Sequence, residues 1–229
     1  MADIWAHRGA SRAKPENTVD AFREAKALGA DGVELDVRRS RDRGLVIHHD
    51  ATLPDGRAIV ETDVADLPPG VPLLDAALDA CDGMSVNIEI KNVEVDSDHD
   101  PSEYLADAVV GLVRDLGLVA SVLVSSFSLA TIDRVRRLAP EFATGYLASP
   151  RWNQIDALQR AIDGGHGAFH PMDPVVNAEL VQRCHDAGVK VNTWTVDDPD
   201  RIRWLVDECG VDAVITNVPD VARTALDGR

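Results

Sequence analysis

Short β-rich runs alternate with longer helical patterns from one end of this chain to the other. Eight runs are predicted as strands: Ile4–His7, Gly32–Val37, Val86–Ile90, Ser121–Ser125, Ala143–Leu147, Gly167–His170, Val189–Trp194 and Ala213–Thr216. Helical patterns follow them in turn: Thr18–Leu28, Leu73–Ala80, Ser102–Leu116, Leu129–Leu138, Ile155–Ile162, Ala178–Ala187, Pro199–Glu208 and Pro219–Leu226. The pattern therefore predicts eight β–α units in sequence.

The alternation of strands and helices is typical of parallel strand pairing. Eight units in 229 residues fit an α/β fold of the (β/α)8 or TIM-barrel type, for which about 250 residues is typical. A doubly wound open sheet is the alternative, but it favours a glycine-rich phosphate loop after the first strand. The segment His7-Arg8-Gly9-Ala10-Ser11 is not such a loop. We predict one domain over residues 1–229, with a very short insertion after the second strand.

Capping residues mark where several helices begin. The run Pro15-Glu16-Asn17-Thr18 precedes the first helix, and Asp197-Asp198-Pro199-Asp200 precedes the seventh. Small polar residues before a helix and proline at its first position are typical start signals.

The composition of the chain argues against several classes of binding partner. A net charge of −16 disfavours nucleic acids, which bind through Lys and Arg, and anionic membranes. The three cysteines, Cys81, Cys184 and Cys209, lie far apart in predicted helices, which indicates buried thiols in a reducing compartment. Neither a signal peptide nor a membrane-spanning apolar run is visible. We expect a cytoplasmic protein without stable membrane association.

Ionisable side chains recur two residues apart on the predicted strands. Glu34 and Asp36 lie on the second strand, and Glu89 and Lys91 lie on the next. Side chains two apart on a strand share a face. A polar pair on a buried face must be hydrogen-bonded or bind a ligand. These pairs therefore predict a functional site.

The three acids Glu34, Asp36 and Glu89 would repel one another in a barrel interior. A hard divalent cation relieves that repulsion, and oxygen ligands suit Mg²⁺ or Ca²⁺, with Mn²⁺ as a further candidate. The alternative interpretation is a structural salt-bridge network with three cations, Arg8, Arg38 and Lys91.

Two histidines at strand ends, His7 and His49, are candidates for an acid–base pair near neutral pH. Hydrogen-bonded packing residues are the alternative. His48 has the opposite pleat parity, so it faces away if His49 faces the site. Arg8 and Lys91 flank the acids, where they could bind phosphate oxygens or form structural ion pairs.

Two tryptophans and one acidic loop complete the candidate site. Trp194 ends a strand and is predicted to bind substrate as a wall of the pocket, whereas Trp152 lies in a loop and covers the rim. The segment Asp96–Asp100 resembles the start of a calcium loop, but Pro101 occupies the position that needs glycine. We interpret it as a solvated loop that overhangs the mouth of the barrel.

Five motifs in order resemble the signature of the glycerophosphodiester phosphodiesterases. They are Ala6-His7-Arg8-Gly9-Ala10, Pro15-Glu16-Asn17-Thr18, Gly32-Val33-Glu34-Leu35-Asp36-Val37, Ile47-His48-His49-Asp50-Ala51-Thr52-Leu53 and Ile88-Glu89-Ile90-Lys91. The later segments Ser125-Ser126-Phe127 and Val191-Asn192-Thr193-Trp194-Thr195-Val196 fit the same pattern. The resemblance covers nearly the whole chain.

The resemblance implies a TIM barrel that uses a divalent metal to hydrolyse glycerophosphodiesters to glycerol 3-phosphate and an alcohol. Position by position, it implies metal ligands at Glu34, Asp36 and Glu89, an acid–base pair at His7 and His49, and phosphate contacts at Arg8 and Lys91. Glu16 and Asn17 match a loop that closes the site, with helix capping as their alternative role.

The chain departs from the family pattern after Leu53. There the family usually has Asp/Glu-Arg-Thr-Thr, and this chain reads Pro54-Asp55-Gly56-Arg57-Ala58. The short segment Thr52–Val71 predicts an open pocket rim.

Two other functions stay open. A lysophospholipase D-like or phospholipase C-like activity on the same barrel would show an apolar rim. A non-catalytic phosphoester-binding protein would lack one of the histidines or acids.

Overall fold

Eight parallel strands close into a barrel in the computed structural model, which describes residues 2–227. The barrel strands are β1 (Asp3–His7), β2 (Gly32–Arg39), β4 (Ser85–Ile90), β5 (Val122–Ser126), β6 (Ala143–Ala148), β7 (Ala168–Pro171), β8 (Lys190–Thr193) and β9 (Ala213–Thr216), while β3 (Leu45–Ile47) lies outside the ring. The ring closes at Trp5, which registers with Gly32 of β2 on one side and Ile215 of β9 on the other. The predicted single-domain (β/α)8 barrel is confirmed, and the open sheet is excluded.

A helix follows each barrel strand. The helices are α1 (Val19–Ala27), α2 (Leu74–Ala80), α3 (Tyr104–Asp115), α4 (Leu129–Leu138), α5 (Gln154–Asp163), α6 (Ala178–Asp186), α7 (Pro199–Trp204) and α8 (Pro219–Asp227). Thr18 caps α1 by accepting the N–H of Ala21 at 3.2 Å. Asp198 caps α7 by accepting the N–H of Arg201 at 2.7 Å. The two predicted helix starts are confirmed.

Two helices differ from the sequence prediction by more than one residue at one end. Helix α3 begins at Tyr104 rather than Ser102, because Glu103 adopts a left-handed φ of 59° that cannot continue a helix. Helix α7 ends at Trp204 and continues as a π-helical turn over Leu205–Cys209, instead of running as an α-helix to Glu208.

The antiparallel strand β3 was not among the eight predicted strands. It pairs with the distal end of β2, where Ile47 registers with Val37 and Leu45 with Arg39. This pairing extends β2 two residues beyond the predicted end at Val37. The hairpin delivers the segment that follows β3, His48-His49, to the carboxyl end of the barrel.

The apolar core lies mainly between the barrel wall and the helices. Two large clusters fill this layer, one around Phe22 and Ile88 and the other around Phe169 and Ile132. A smaller cluster of Val46, Leu53 and Ile59 packs the short segment after β3 against that strand. This local core explains how a short insertion is held in place.

The three thiols Cys81, Cys184 and Cys209 are buried and free. Burial raises the pKa of Cys81 and Cys184 to about 12. The prediction of buried thiols is confirmed.

The barrel interior contains a buried histidine, His170 of β7. Its Nε2 accepts a hydrogen bond from Asn192 Nδ2 at 3.0 Å, and its Nδ1 has no partner within residues 2–227. Burial lowers the pKa of His170 to about 3. The imidazole is therefore neutral in the folded protein at any physiological pH.

We expect His170 to make the fold sensitive to acid. The unfolded chain takes up its proton near pH 6.5, whereas the folded protein does so near pH 3. The free energy of unfolding should therefore fall by up to about 1.4 kcal/mol per pH unit across that window. Urea unfolding of the wild type and His170→Gln at pH 7, 6, 5 and 4 measures this slope, which should be shallower in the variant. His185→Gln, which removes an exposed imidazole, is the matched control. Equal slopes for the wild type and His170→Gln would contradict the assignment.

Candidate active site

Three carboxylates from two neighbouring strands meet at the carboxyl end of the barrel. Glu34 and Asp36 lie on β2, and Glu89 of β4 is in direct register with Asp36. All three residues are buried, and one oxygen of each lies within 4.8 Å of the others. A single cation can therefore contact all three side chains.

Two cationic side chains pair with these acids. Lys91 Nζ lies 2.5 Å from Glu89 Oε1 and 3.0 Å from Asp36 Oδ1. Arg8 Nε lies 3.2 Å from Asp36 Oδ2, and its Nη1 donates to Glu16 Oε1 at 2.9 Å. The structural ion-pair interpretation is thus right in part, because Arg8 and Lys91 do neutralise some of the acidic charge.

The remaining charge fits a divalent cation. Burial, followed by the charges of Asp36 and Glu89, raises the pKa of Glu34 well above its usual range. Burial acts in the same direction on Asp36, but Lys91 and Arg8 outweigh it and lower the pKa of that carboxyl. Glu34 Oε1 is buried without a hydrogen-bond partner among the described residues. Three acids facing two cations, with one orphaned oxygen, form a donor set that a hard divalent ion satisfies.

His7 ends β1, and its ring is oriented by Asn217, the residue that directly follows the last barrel strand. Its Nδ1 donates to Asn217 Oδ1 at 2.8 Å, since an amide oxygen can only accept. Asp197 fixes that amide by accepting from Asn217 Nδ2 at 2.8 Å. His7 Nε2 then presents its lone pair 4.0 Å from Glu34 Oε2. Burial, together with the charge of Arg8, lowers the pKa of His7.

His49 lies two residues beyond β3 and lines the same cavity as Glu89 and Lys91. Its Nδ1 pairs with Asp50 Oδ1 at 2.7 Å, so Nε2 is the nitrogen that points away from Asp50. Burial, followed by the charge of Lys91, lowers the pKa of His49. Both histidines therefore combine an anchored Nδ1 with a depressed pKa.

His48 is placed differently from His49. Its Nδ1 contacts the backbone oxygen of Asp50 at 2.9 Å. Of the two histidines, only His49 lines the cavity beside Glu89. This placement agrees with the predicted difference in orientation.

A cavity of about 400 Å³ opens beside the acids. It is lined by residues of the site and of the loop after β4, among them His49, Glu89, Lys91, Val93, Val95, Asp96, Ser97 and Phe127. The loop therefore overhangs the mouth, as predicted.

The prediction that Asp96–Asp100 is a solvated loop is wrong. Asp98 is buried, and both of its oxygens accept from Arg38 Nη1 at 2.8 Å. Arg38 Nη2 donates to Asp96 at 3.1 Å. Arg38, which the ion-pair interpretation placed with the three acids of the site, pairs with this loop instead. The partner lies about 60 residues earlier in the chain, so local spacing could not reveal it.

The two tryptophans meet at Phe127. Trp194 packs edge-on against Phe127 with ring centroids 5.7 Å apart, and its Nε1 donates to the backbone oxygen of His170 at 2.8 Å. Trp152 is 41% exposed and contacts the other side of the same cluster, 6.2 Å from the Phe127 centroid. Trp152 thus lies on the rim as predicted, and Trp194 lies behind Phe127 at the mouth.

Two asparagines position site groups in ways that the sequence did not reveal. Asn17 Nδ2 donates to Asp36 Oδ2 at 2.8 Å, whereas the cap of α1 is Thr18, so the capping alternative for Asn17 is wrong. Asn217 follows β9 directly. The rule that site groups follow barrel strands would have identified Asn217, whereas the resemblance placed Asn17 in a loop that closes the site but did not indicate its contact with Asp36.

Comparison with known proteins identifies the lineage. The sequence model of the glycerophosphoryl diester phosphodiesterase family matches residues 7–221. The chain belongs to this family. Membership identifies it as a phosphoric diester hydrolase.

Relatives of this family match over nearly their full length. A glycerophosphodiester phosphodiesterase of Caldanaerobacter subterraneus subsp. tengcongensis is 29% identical, with 95% of this chain and 94% of the relative covered. A solved phosphodiesterase of Oleispira antarctica, in complex with its product sn-glycerol-3-phosphate, has a TM-score of 0.88 at 27% identity, covering 99% and 97% of the two chains. The Thermotoga maritima glycerophosphodiester phosphodiesterase has a TM-score of 0.83 at 25% identity, covering 100% and 99%.

Within residues 2–227, no helix is long and apolar enough to cross a membrane.

Proposed function

We propose that the protein hydrolyses glycerophosphodiesters, the deacylated forms of phospholipids, to sn-glycerol 3-phosphate and an alcohol. The observation that carries this proposal is one cluster at the carboxyl end of the barrel, which contains three carboxylates, two anchored histidines and two cations. The related Oleispira antarctica enzyme binds sn-glycerol-3-phosphate as its product, which supports the same product here.

Arg8 and Lys91 bind the phosphate oxygens in this proposal. Their side chains are only 18% and 8% exposed, so their charges act in a low dielectric, where they stabilise negative charge strongly. Glu34, Asp36 and Glu89 hold Mg²⁺, Mn²⁺ or Ca²⁺, which as a Lewis acid supplies further stabilisation of charge on the phosphate.

The two histidines move the protons. One takes the proton of the glycerol 2-hydroxyl as its oxygen attacks phosphorus, and the other protonates the leaving alcohol as the P–O bond breaks. Transfer occurs at Nε2, because Asn217 and Asp50 hold Nδ1 of His7 and His49. The resulting cyclic phosphate is opened by water with the two roles exchanged.

Trp194 and Phe127 provide an apolar wall beside the phosphate site. Phe127 lines the cavity together with Lys91, and Trp194 supports it edge-on. We propose that this wall contacts the carbon skeleton of the bound substrate, since Arg8 and Lys91 bind its phosphate group.

The test is product analysis with a panel of diesters. Glycerophosphocholine, glycerophosphoethanolamine and glycerophosphoglycerol are supplied with Mg²⁺, Mn²⁺ or Ca²⁺, and sn-glycerol 3-phosphate should appear in equal amounts with the alcohol. Faster turnover of lysophosphatidylcholine would support a lysophospholipase D-like function instead. Release of phosphocholine would support a phospholipase C-like one, and binding without turnover would support a non-catalytic protein.

Removal of the internal nucleophile should slow the reaction. The 2-deoxy analogue of glycerophosphocholine lacks the hydroxyl that attacks phosphorus, so we expect its kcat to be at least tenfold lower. Choline release from the two compounds at saturating concentration provides the measurement. Equal rates would mean that water attacks phosphorus directly.

A further inference from the structure

Arg38 is buried beside the site but contacts none of its three acids. It lies on β2 two residues beyond Asp36 and is 4% exposed. Its guanidinium joins three separate segments, since it is carried by β2 and contacts both the loop after β4 and the segment after β3. The Asp98 and Asp96 contacts described above form the first link. The second is a hydrogen bond from Arg38 Nε to the backbone oxygen of His49 at 2.7 Å.

Two contacts hold His49 in place, one from Arg38 to its backbone and one from Asp50 to its ring, and the contact from Arg38 is the less exposed of the two. The side-chain pair of His49 and Asp50 is open to solvent, with 36% and 71% of the two side chains exposed. Exposed pairs of this kind fix a side chain weakly. The Arg38 contact is part-buried, so solvent and salt screen its charged donor less than they screen the exposed Asp50 carboxylate. β3 ends at Ile47, and the last backbone hydrogen bond before His49 runs from His48 N–H to the Asp36 oxygen at 3.0 Å, so the Arg38 contact holds the backbone one residue farther on.

The two aspartates fix the direction of the guanidinium. Asp98 accepts twice from Nη1, and Asp96 accepts from Nη2, which leaves Nε aimed at His49. A buried arginine is costly unless its donors are paired, and here each of its three nitrogens has an acceptor. A lysine at this position would carry the same charge, but its ammonium group cannot direct hydrogen bonds to all three groups as the planar guanidinium does.

We propose that Arg38 is a positioning residue that acts through His49. It holds the backbone from which the imidazole projects into the cavity, and the pair Asp96 and Asp98 holds Arg38. The inference rests on the catalytic role proposed for His49.

A double-mutant cycle separates this role from a general structural one. Arg38→Lys should lower kcat for glycerophosphocholine about tenfold or more, with KM changed less than about twofold, because His49 is misplaced while the phosphate groups are intact. In the His49→Ala background the same change should lower kcat less than about twofold, since no imidazole is left to position. Coupled residues depart from additivity in this way.

Two further variants complete the design. Asp98→Asn keeps the size of the side chain but weakens the hold on Arg38, and it should give a smaller loss of kcat that also disappears in the His49→Ala background. Arg39→Lys is the matched control, because Arg39 is the next residue of β2 and its Nε lies 3.8 Å from Asp100, whose side chain is 22% exposed, instead. It should leave kcat and KM at wild-type values. Thermal unfolding of every variant identifies any that fails to fold, in which case Asp98→Asn replaces Arg38→Lys in the cycle.

The outcomes are distinct. Equal losses in both backgrounds would overturn the positioning role and leave the proposed function in place, as would wild-type kcat in Arg38→Lys. Full activity of His49→Ala would overturn both, because His49 would then have no catalytic role.

Discussion

Protein stripped of divalent cations with EDTA is expected to lose glycerophosphodiester hydrolysis, and Mg²⁺, Mn²⁺ or Ca²⁺ should restore it. The physical reason is the site itself, where three buried acids face two cations and one Glu34 oxygen has no partner among the described residues. Without the ion, this excess negative charge repels the phosphate. Full activity of dialysed, metal-free protein would contradict the prediction.

Substitution of the acids tests which residues hold the ion. Glu34→Gln, Asp36→Asn and Glu89→Gln should each weaken metal binding in a calorimetric titration. Glu94→Gln, in the exposed part of the loop after β4, removes one carboxylate without touching the cluster and is the control. An unchanged titration in all three cluster variants would show that the ion binds elsewhere.

Replacement of either His7 or His49 by alanine is expected to lower kcat by about 10²-fold or more, the usual scale of acid–base catalysis. The two imidazoles have depressed pKa values and anchored Nδ1 atoms, so each presents one defined nitrogen for proton transfer. Steady-state kinetics with glycerophosphocholine measures the effect.

His48→Ala supplies the internal control for this pair. The side chain of His48 points towards the backbone of Asp50 and should matter little. A larger loss for His48→Ala than for His49→Ala would mean that the two roles are reversed.

The barrel could be predicted from sequence because its pattern is local. Each strand is a short apolar run and each helix a longer periodic one, so the order of elements follows from neighbouring residues. Pleat parity likewise predicted that Glu34 and Asp36 share a face, and parallel pairing brought Glu89 beside them. These features need no knowledge of distant contacts.

The site contacts that sequence reasoning missed depend on distant segments of the chain. Asn17 reaches Asp36 from a loop, Asn217 reaches His7 from the other end of the chain, and Arg38 reaches Asp98 across about 60 residues. An acidic stretch with no visible partner is most simply interpreted as solvated. Only the folded chain shows that a buried arginine neutralises it.

The hydrogen bond between His7 and Asn217 spans 210 positions of the chain. All three carboxylates belong to the first 91 residues, whereas the amide that orients His7 belongs to Asn217. That amide arrives with β9, the strand that shuts the ring against β1. In the proposed mechanism, the orientation of the His7 ring therefore depends on closure of the barrel, because Asn217 directly follows the strand that pairs with β1.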